Sequence, residues 1–352
     1  MRGNLLSLCS KIFVKLCKNL LKKMCNLYPW LQPYYQQIIQ PFLQEKGHHA
    51  LLFKAEQGIG IEQLIENIAG WLMCRKKDAP QSCRQCQSCA LFRAGNHPDF
   101  YRLESLDNKD IGVEQVREMN EKVSQFAKQG GNKVVFIRQA ERLTESAANA
   151  LLKTLEEPRP HTYFLLQMDF SAGLLATIYS RCQAWVINTP TEQQGLVWLQ
   201  QQRQEKIADL QTALRINYNR PLLALDCLEK GLLEQRTTFL RQFWLFYIRR
   251  SPLELLPHFT KENVLLQLDW MSAFLHDALK EKLGVRQGWI SQDLARGILQ
   301  FNEKQNVEEL LKAIQIIQKM RLNLTQINGV NQELILLEGL TRLVTDVFER
   351  KE

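Results

Sequence analysis

The chain of 352 residues contains no apolar run long enough to span a bilayer as a helix, so no segment reads as transmembrane. It has no Ser-His-Asp, His-Glu-x-x-His or Gly-x-Ser-x-Gly arrangement, which removes the common hydrolase and zinc-protease readings. Internal repeats and low-complexity linkers are missing too. The basic opening, Met1 to Lys23, lacks a small-residue cleavage site, and lysines interrupt its apolar stretch. It is therefore not a secretory signal. Nor do the cysteines form a disulfide framework: there are nine, but four cluster at metal-ligand spacing, which points to a reducing compartment.

What is present suits a two- or three-domain chain with ample core. The net charge of +8 permits contact with nucleic acid or an acidic partner, but part of it lies in the opening residues and says little about DNA. There, Leu5, Leu8, Ile12, Leu16 and Leu20 share one helical face, with Lys11, Lys15, Lys18 and Lys22 elsewhere. That pattern permits a surface-seeking helix. The preferred reading of residues 1–23 is a start-site artefact or a disordered tail.

From Tyr28 the pattern alternates between strands and helices. Ala50 to Phe53 is a short buried strand, followed by a Gly-containing turn and a helix from about Ile61 to Leu72. Lys133 to Ile137 and Tyr163 to Leu166 are two further strands. This alternation predicts a three-layer α/β domain on a parallel sheet. Beyond about Thr189 only helical periodicity remains, as in Trp270 to Leu279 and Glu308 to Leu322.

Cys74-x₈-Cys83-x₂-Cys86-x₂-Cys89 is the strongest chemical motif. Four thiolates close a tetrahedral Zn²⁺ shell with no open position, the mark of a structural site. An iron–sulfur cluster competes, but its usual bacterial run continues to Cys-Pro, and Ala90 follows Cys89. Zinc modules also bind nucleic acid. Arg84 and Arg93 are too few to carry that reading, and the site better serves to hold a surface insertion together.

Two further segments stand out. Ser146 to Pro158 is a helix: Thr144 can cap it, Ala148, Leu151, Leu152 and Leu155 recur at helical spacing, and Pro158 stops it. Ser180-Arg181-Cys182 follows the third strand. Together these strings resemble the signature of the AAA+ clamp-loader family of bacterial DNA polymerase III. Asn26 to Leu31, the four-cysteine insertion and, more weakly, Phe274 to Lys280 and Ile327 to Leu334 extend the resemblance over nearly the whole chain from Met24.

The resemblance implies a RecA-like AAA+ domain over residues 24–189 with a zinc module at 74–89. An all-helical lid would cover 190–230 and an all-helical collar 231–352, the collar joining subunits. Against that family the phosphate loop is degenerate. In the frame G-x-x-x-x-G-K-[ST], Ala55 replaces the first glycine and Gly60 remains as the second, with Gly58 between them. Ile61 stands for the lysine and Glu62 for the hydroxyl that holds Mg²⁺. Isoleucine supplies no charge to phosphates, and a carboxylate repels them. Arg138-Gln139 stand where the acidic pair would hold metal and polarise water, Glu141 is two residues too late, and Met168 replaces the polar sensor. No ATP is expected to bind this subunit.

Arg181 points the other way. The resemblance implies that it reaches a neighbour's γ-phosphate in trans, as a planar, permanently charged guanidinium is suited to do. Cys182 reads as a buried small hydrophobe, and His48-His49 and His97-Pro98-Asp99 as packing and turn residues. The implied partners are gamma/tau ATPase subunits and delta in a five-membered ring, with sliding clamp and primed DNA engaged through the complex in the bacterial cytoplasm. A non-hydrolysing stator is thus expected. The alternatives are an ATPase with a divergent loop and a zinc-dependent DNA-binding protein.

Overall fold

The computed structural model describes residues 27–77, 79–105, 109–285, 287–326 and 331–348. The expected extension over 1–23 and residues 327–330 of the Ile327 to Leu334 segment lie outside them. Contacts divide the chain into two compact units, 1–189 and 190–352. Among the described residues no helix is long and apolar enough to cross a membrane.

The first unit runs α1 (Gln32–Leu43), β1 (Ala50–Ala55), α2 (Ile61–Met73), α3 (Gln87–Arg93), β2 (Phe100–Leu103) and α4 (Val113–Ser124). It continues with β3 (Lys133–Ile137), α5 (Glu145–Glu156), β4 (Thr162–Asp169), α6 (Ala176–Tyr179) and β5 (Gln183–Ile187). The strands form one sheet in the order β2-β3-β4-β1-β5, and every neighbouring pair is parallel. The three strands read from the sequence are its centre. The other two are its edges, short and half-exposed, with Gln183, Ala184 and Val186 of β5 facing outward. Edge strands need only one apolar face: Arg102 interrupts β2, whereas β5 does carry an apolar run, Ala184 to Ile187, that sequence reasoning missed.

Alternation along the strands divides the core in two. Ala50, Leu52, Val135, Ile137, Phe164 and Leu166 join α4 and α5 on one face of the sheet. Leu51, Phe53, Val134, Phe136 and Leu165 are buried on the other. Helix α5 forms as its sequence dictates. Thr144 Oγ1 accepts the Ala147 N–H at 3.2 Å, and Ala148, Leu151 and Leu155 are buried beneath it. Because all strands run the same way, the ends of β1, β3 and β4 meet at one edge, beside β1, where chain order reverses. That edge is where open α/β sheets place ligands.

The second unit is helical throughout its described residues: α7 (Glu192–Gln202), α8 (Ile207–Ile216), α9 (Pro221–Glu229), α10 (Leu232–Arg249), α11 (Val264–Lys282), α12 (Ala295–Asn302), α13 (Val307–Gln326) and α14 (Gln332–Leu343). Helices α7, α8 and α9 pack on one another. A large cluster follows, centred on Phe243, Phe246, Phe274 and Phe301. Gly339 lets α13 and α14 approach: a Cβ there would lie 2.2 Å from Met320 Sδ. Asp277, fully buried, accepts the N–H groups of Ile290 and Ser291 at 3.0 and 2.6 Å and so holds the connection after α11.

Candidate functional site

The loop between β1 and α2 holds two left-handed glycines and leads into Ile61 and Glu62, where a phosphate loop would have lysine and a hydroxyl. Gly58 and Gly60 have φ of +86° and +81°, the left-handed region that glycine enters without strain, and Gly60 precedes the first turn of α2. Ile61 is 1% exposed and belongs to the core. Trp30 Nε1 donates to the Ile59 carbonyl at 2.9 Å, and the Tyr28 N–H donates to Gln63 Oε1 at 3.0 Å. The rings of Tyr28 and Trp30 stack 5.0 Å apart. Burial, with the Glu62 carboxylate nearby, pushes the Tyr28 hydroxyl up.

Glu62, which sequence reasoning read only as a group that repels phosphate, has partners of its own. Its Oε1 lies 3.5 Å from Arg138 Nη2 and accepts from Gln167 Nε2 at 3.1 Å. Arg138 follows β3, and the step pairing Ile137 with Leu166 puts it beside Gln167 on β4. Arg138 Nη1 lies 3.8 Å from Glu104 Oε2. A cation thus stands where a metal-holding carboxylate was sought, a carboxylate stands where a hydroxyl was sought, and the two neutralise one another. Met168 is buried at the end of β4 and offers no polar group.

Arg181 lies between α6 and β5. Its Nε donates to Glu156 Oε1 at 2.7 Å, its Nη2 donates to the same oxygen, and its Nη1 donates to the Thr177 carbonyl at 2.7 Å. The side chain remains 31% exposed. Glu156 is the last residue of α5, so tertiary structure joins two motifs that stand apart in sequence. Cys182 packs partly buried against the core of the sheet, and burial pushes its thiol up to about 12, as expected of a small apolar residue.

The four clustered thiols come together as their spacing predicts. Cys74 ends α2 and Cys86 caps α3, and the four Sγ atoms of Cys74, Cys83, Cys86 and Cys89 lie within 4.8 Å of one another. Cys83 and Cys89 Sγ are 3.9 Å apart. Four sulfurs ~2.3 Å from a central Zn²⁺ would be about 3.8 Å apart, so the set fits that ion. The amides of Gln85 and Cys86 draw the Cys83 thiol down to about 6, whereas burial pushes the thiols of Cys74 and Cys89 up.

The histidines are tied into the framework. His49 Nε2 bonds the Leu155 carbonyl at 2.8 Å, and His48 stacks on His49. Ser88 Oγ donates to the Met73 carbonyl at 2.6 Å, so His97 Nε2, 2.8 Å from that oxygen, must be the donor to it. His97 Nδ1 accepts the Asp99 N–H at 3.1 Å. These bonds specify the neutral ring, and burial holds its pKa below the usual value. Asp99 in turn accepts the N–H groups of Lys128 and Gln129 at 2.7 and 2.8 Å.

Known proteins supply the family. Two family models match: "DNA polymerase III, delta subunit" over residues 31–191 and "DNA polymerase III, delta subunit, C terminal" over 230–345. The DNA polymerase III subunit delta' of Haemophilus influenzae is 56% identical over 327 residues, covering 93% of this chain and 99% of that protein. The subunit of the same name from Escherichia coli is 33% identical over 317 residues, covering 90% and 95%. A gamma subunit-related protein from Thermotoga maritima overlays with a TM-score of 0.46 at 14% identity, covering 90% of this chain and 99% of that one, a likeness on which no argument rests. The matches to both halves and the near-complete overlap with these relatives establish that the chain belongs to the delta' family of DNA polymerase III subunits.

Proposed function

We propose that the chain is the ATP-silent stator of a clamp loader and gives Arg181 to the ATP site of a neighbouring subunit. The observation that carries this reading is the Glu62–Arg138 pair: a side chain from the first turn of α2 and one from the end of β3 satisfy each other where phosphate and metal would have to enter. A module closed in that way serves its complex by what it presents outward, and the one-third-exposed guanidinium of Arg181 suits a phosphate's charge. The partners are gamma/tau ATPase subunits and delta in a five-membered ring, which opens a sliding clamp and sets it on primed DNA in the bacterial cytoplasm. Residues 190–230 act as a lid and 231–352 as the collar that joins the ring. Cys74, Cys83, Cys86 and Cys89 hold a structural Zn²⁺ that ties down the segment between α2 and β2.

The test is clamp- and primed-DNA-stimulated ATP hydrolysis by the ring reconstituted with gamma/tau and delta, with this chain or its Arg181→Ala variant. Gel filtration should show an unchanged complex while hydrolysis falls severalfold. Equal rates from intact rings would reduce the chain to a scaffold. Failure of the unmodified chain to form a ring would remove the reading altogether.

A further inference from the structure

Arg181 has five N–H donors, and all three guanidinium nitrogens find acceptors within the chain. Glu156 Oε1 takes Nε–H and one N–H of Nη2, and the Thr177 carbonyl takes one N–H of Nη1. Ser180 Oγ is a further, longer acceptor for Nη1 at 3.4 Å, so the outward N–H of Nη2 is the donor left for a phosphate oxygen.

Both supports are fixed. Glu156 follows Leu155, which is 1% exposed and whose carbonyl is bonded by His49 Nε2. On the other side, the Arg181 N–H donates to the carbonyl of Ile178, which is fully buried in the same cluster as Leu155. The guanidinium is therefore carried by two elements that share one core. Without Glu156, a long side chain that is one-third exposed would sample several rotamers.

We infer that Glu156 is a positioning residue for Arg181, holding the side of the guanidinium so that the outward N–H of Nη2 is presented to a neighbour's phosphate. This inference rests on the proposed function. Glu156 itself touches no nucleotide: its carboxylate would repel one, and its effect passes entirely through Arg181.

The experiment uses the same reconstituted ring with five forms of this chain: unmodified, Glu156→Ala, Glu156→Gln, Arg181→Ala, and the double variant Glu156→Ala/Arg181→Ala. Glu156→Ala should leave assembly and KM for ATP unchanged and lower kcat on the order of tenfold, the scale of a displaced catalytic group. Glu156→Gln, which keeps an acceptor oxygen, should retain most of the rate. The double variant should be no slower than Arg181→Ala alone, because Glu156 has no other route to the chemistry. A wild-type rate for Glu156→Ala beside a slow Arg181→Ala would overturn the inference and leave the proposed function standing. Additive losses in the double variant would also overturn it. A wild-type rate for Arg181→Ala would instead sink the proposed function. Should Glu156→Ala fail to assemble, Glu156→Asp takes its place: it keeps the charge but withdraws the carboxylate, and a full rate from it would count against positioning.

Discussion

Restoring the consensus lysine should not restore nucleotide binding, and the cost of trying can be worked out from Ile61. That side chain is 1% exposed, so Ile61→Lys forfeits roughly 1.5–3 kcal/mol of apolar burial. The new ammonium must also be desolvated or snorkel outward, which brings the loss to about 3 kcal/mol or more. In a working phosphate loop such a cost is offset by the bound nucleotide. Adding Glu62→Thr removes the repelling carboxylate but leaves Arg138 at the metal's side of the site with only the more distant Glu104, 3.8 Å away, to offset its charge. A divalent ion ~4 Å from a guanidinium meets about 8 kcal/mol of repulsion at an effective dielectric of ~20, cut to a few by the half-exposed setting. The assay is urea denaturation of the Ile61→Lys/Glu62→Thr chain with and without Mg²⁺-ATP. A competent site at a hundred times its Kd would return about 2.7 kcal/mol. The expected result is a lower midpoint that ATP does not move. Recovery of the midpoint by Mg²⁺-ATP, with Arg138 untouched, would refute the reasoning.

Two other outcomes follow from the metal centre and the buried imidazole. The purified chain should release about one Zn²⁺ when its thiols are blocked, and Cys83→Ser should bind less and be cut faster by protease between residues 74 and 99; equal metal content in both chains would dismiss the four-thiolate assignment. The folded pKa of His97 lies below its ordinary 6.5, so the unfolded chain takes up the proton first. The stabilisation is therefore complete above about pH 6.5 and is lost as pH falls through the folded value. His97→Gln should flatten the decline of the urea midpoint between about pH 6.5 and 5, and parallel curves would count against the neutral, bridging ring.

Much of the fold was legible because its codes are local. Thr144 and the periodic Ala148, Leu151 and Leu155 specify α5 within a dozen residues, and the structure buries those three side chains. The central strands announce themselves as apolar runs buried on both faces, whereas β2 is interrupted by Arg102 and β5 leaves much of its apolar run exposed. Cysteine spacing alone brought four ligands together, since each pair is separated by no more than a turn or a short loop.

The candidate site was legible only in part. Sequence by itself determined that isoleucine and glutamate stand where a phosphate loop would have lysine and a hydroxyl, and that an arginine stands in the Ser-Arg-Cys string. Only tertiary structure decided what the replacements do. Glu62 meets Arg138 because α2 follows β1, β3 pairs with β4, and parallel register brings their ends to one edge. Glu156 meets Arg181 across 25 residues because α5 and α6 share a core. Periodicity, capping and ligand spacing are written in near neighbours. The partner of a charged side chain depends on which strands and helices lie side by side, and no local pattern records that.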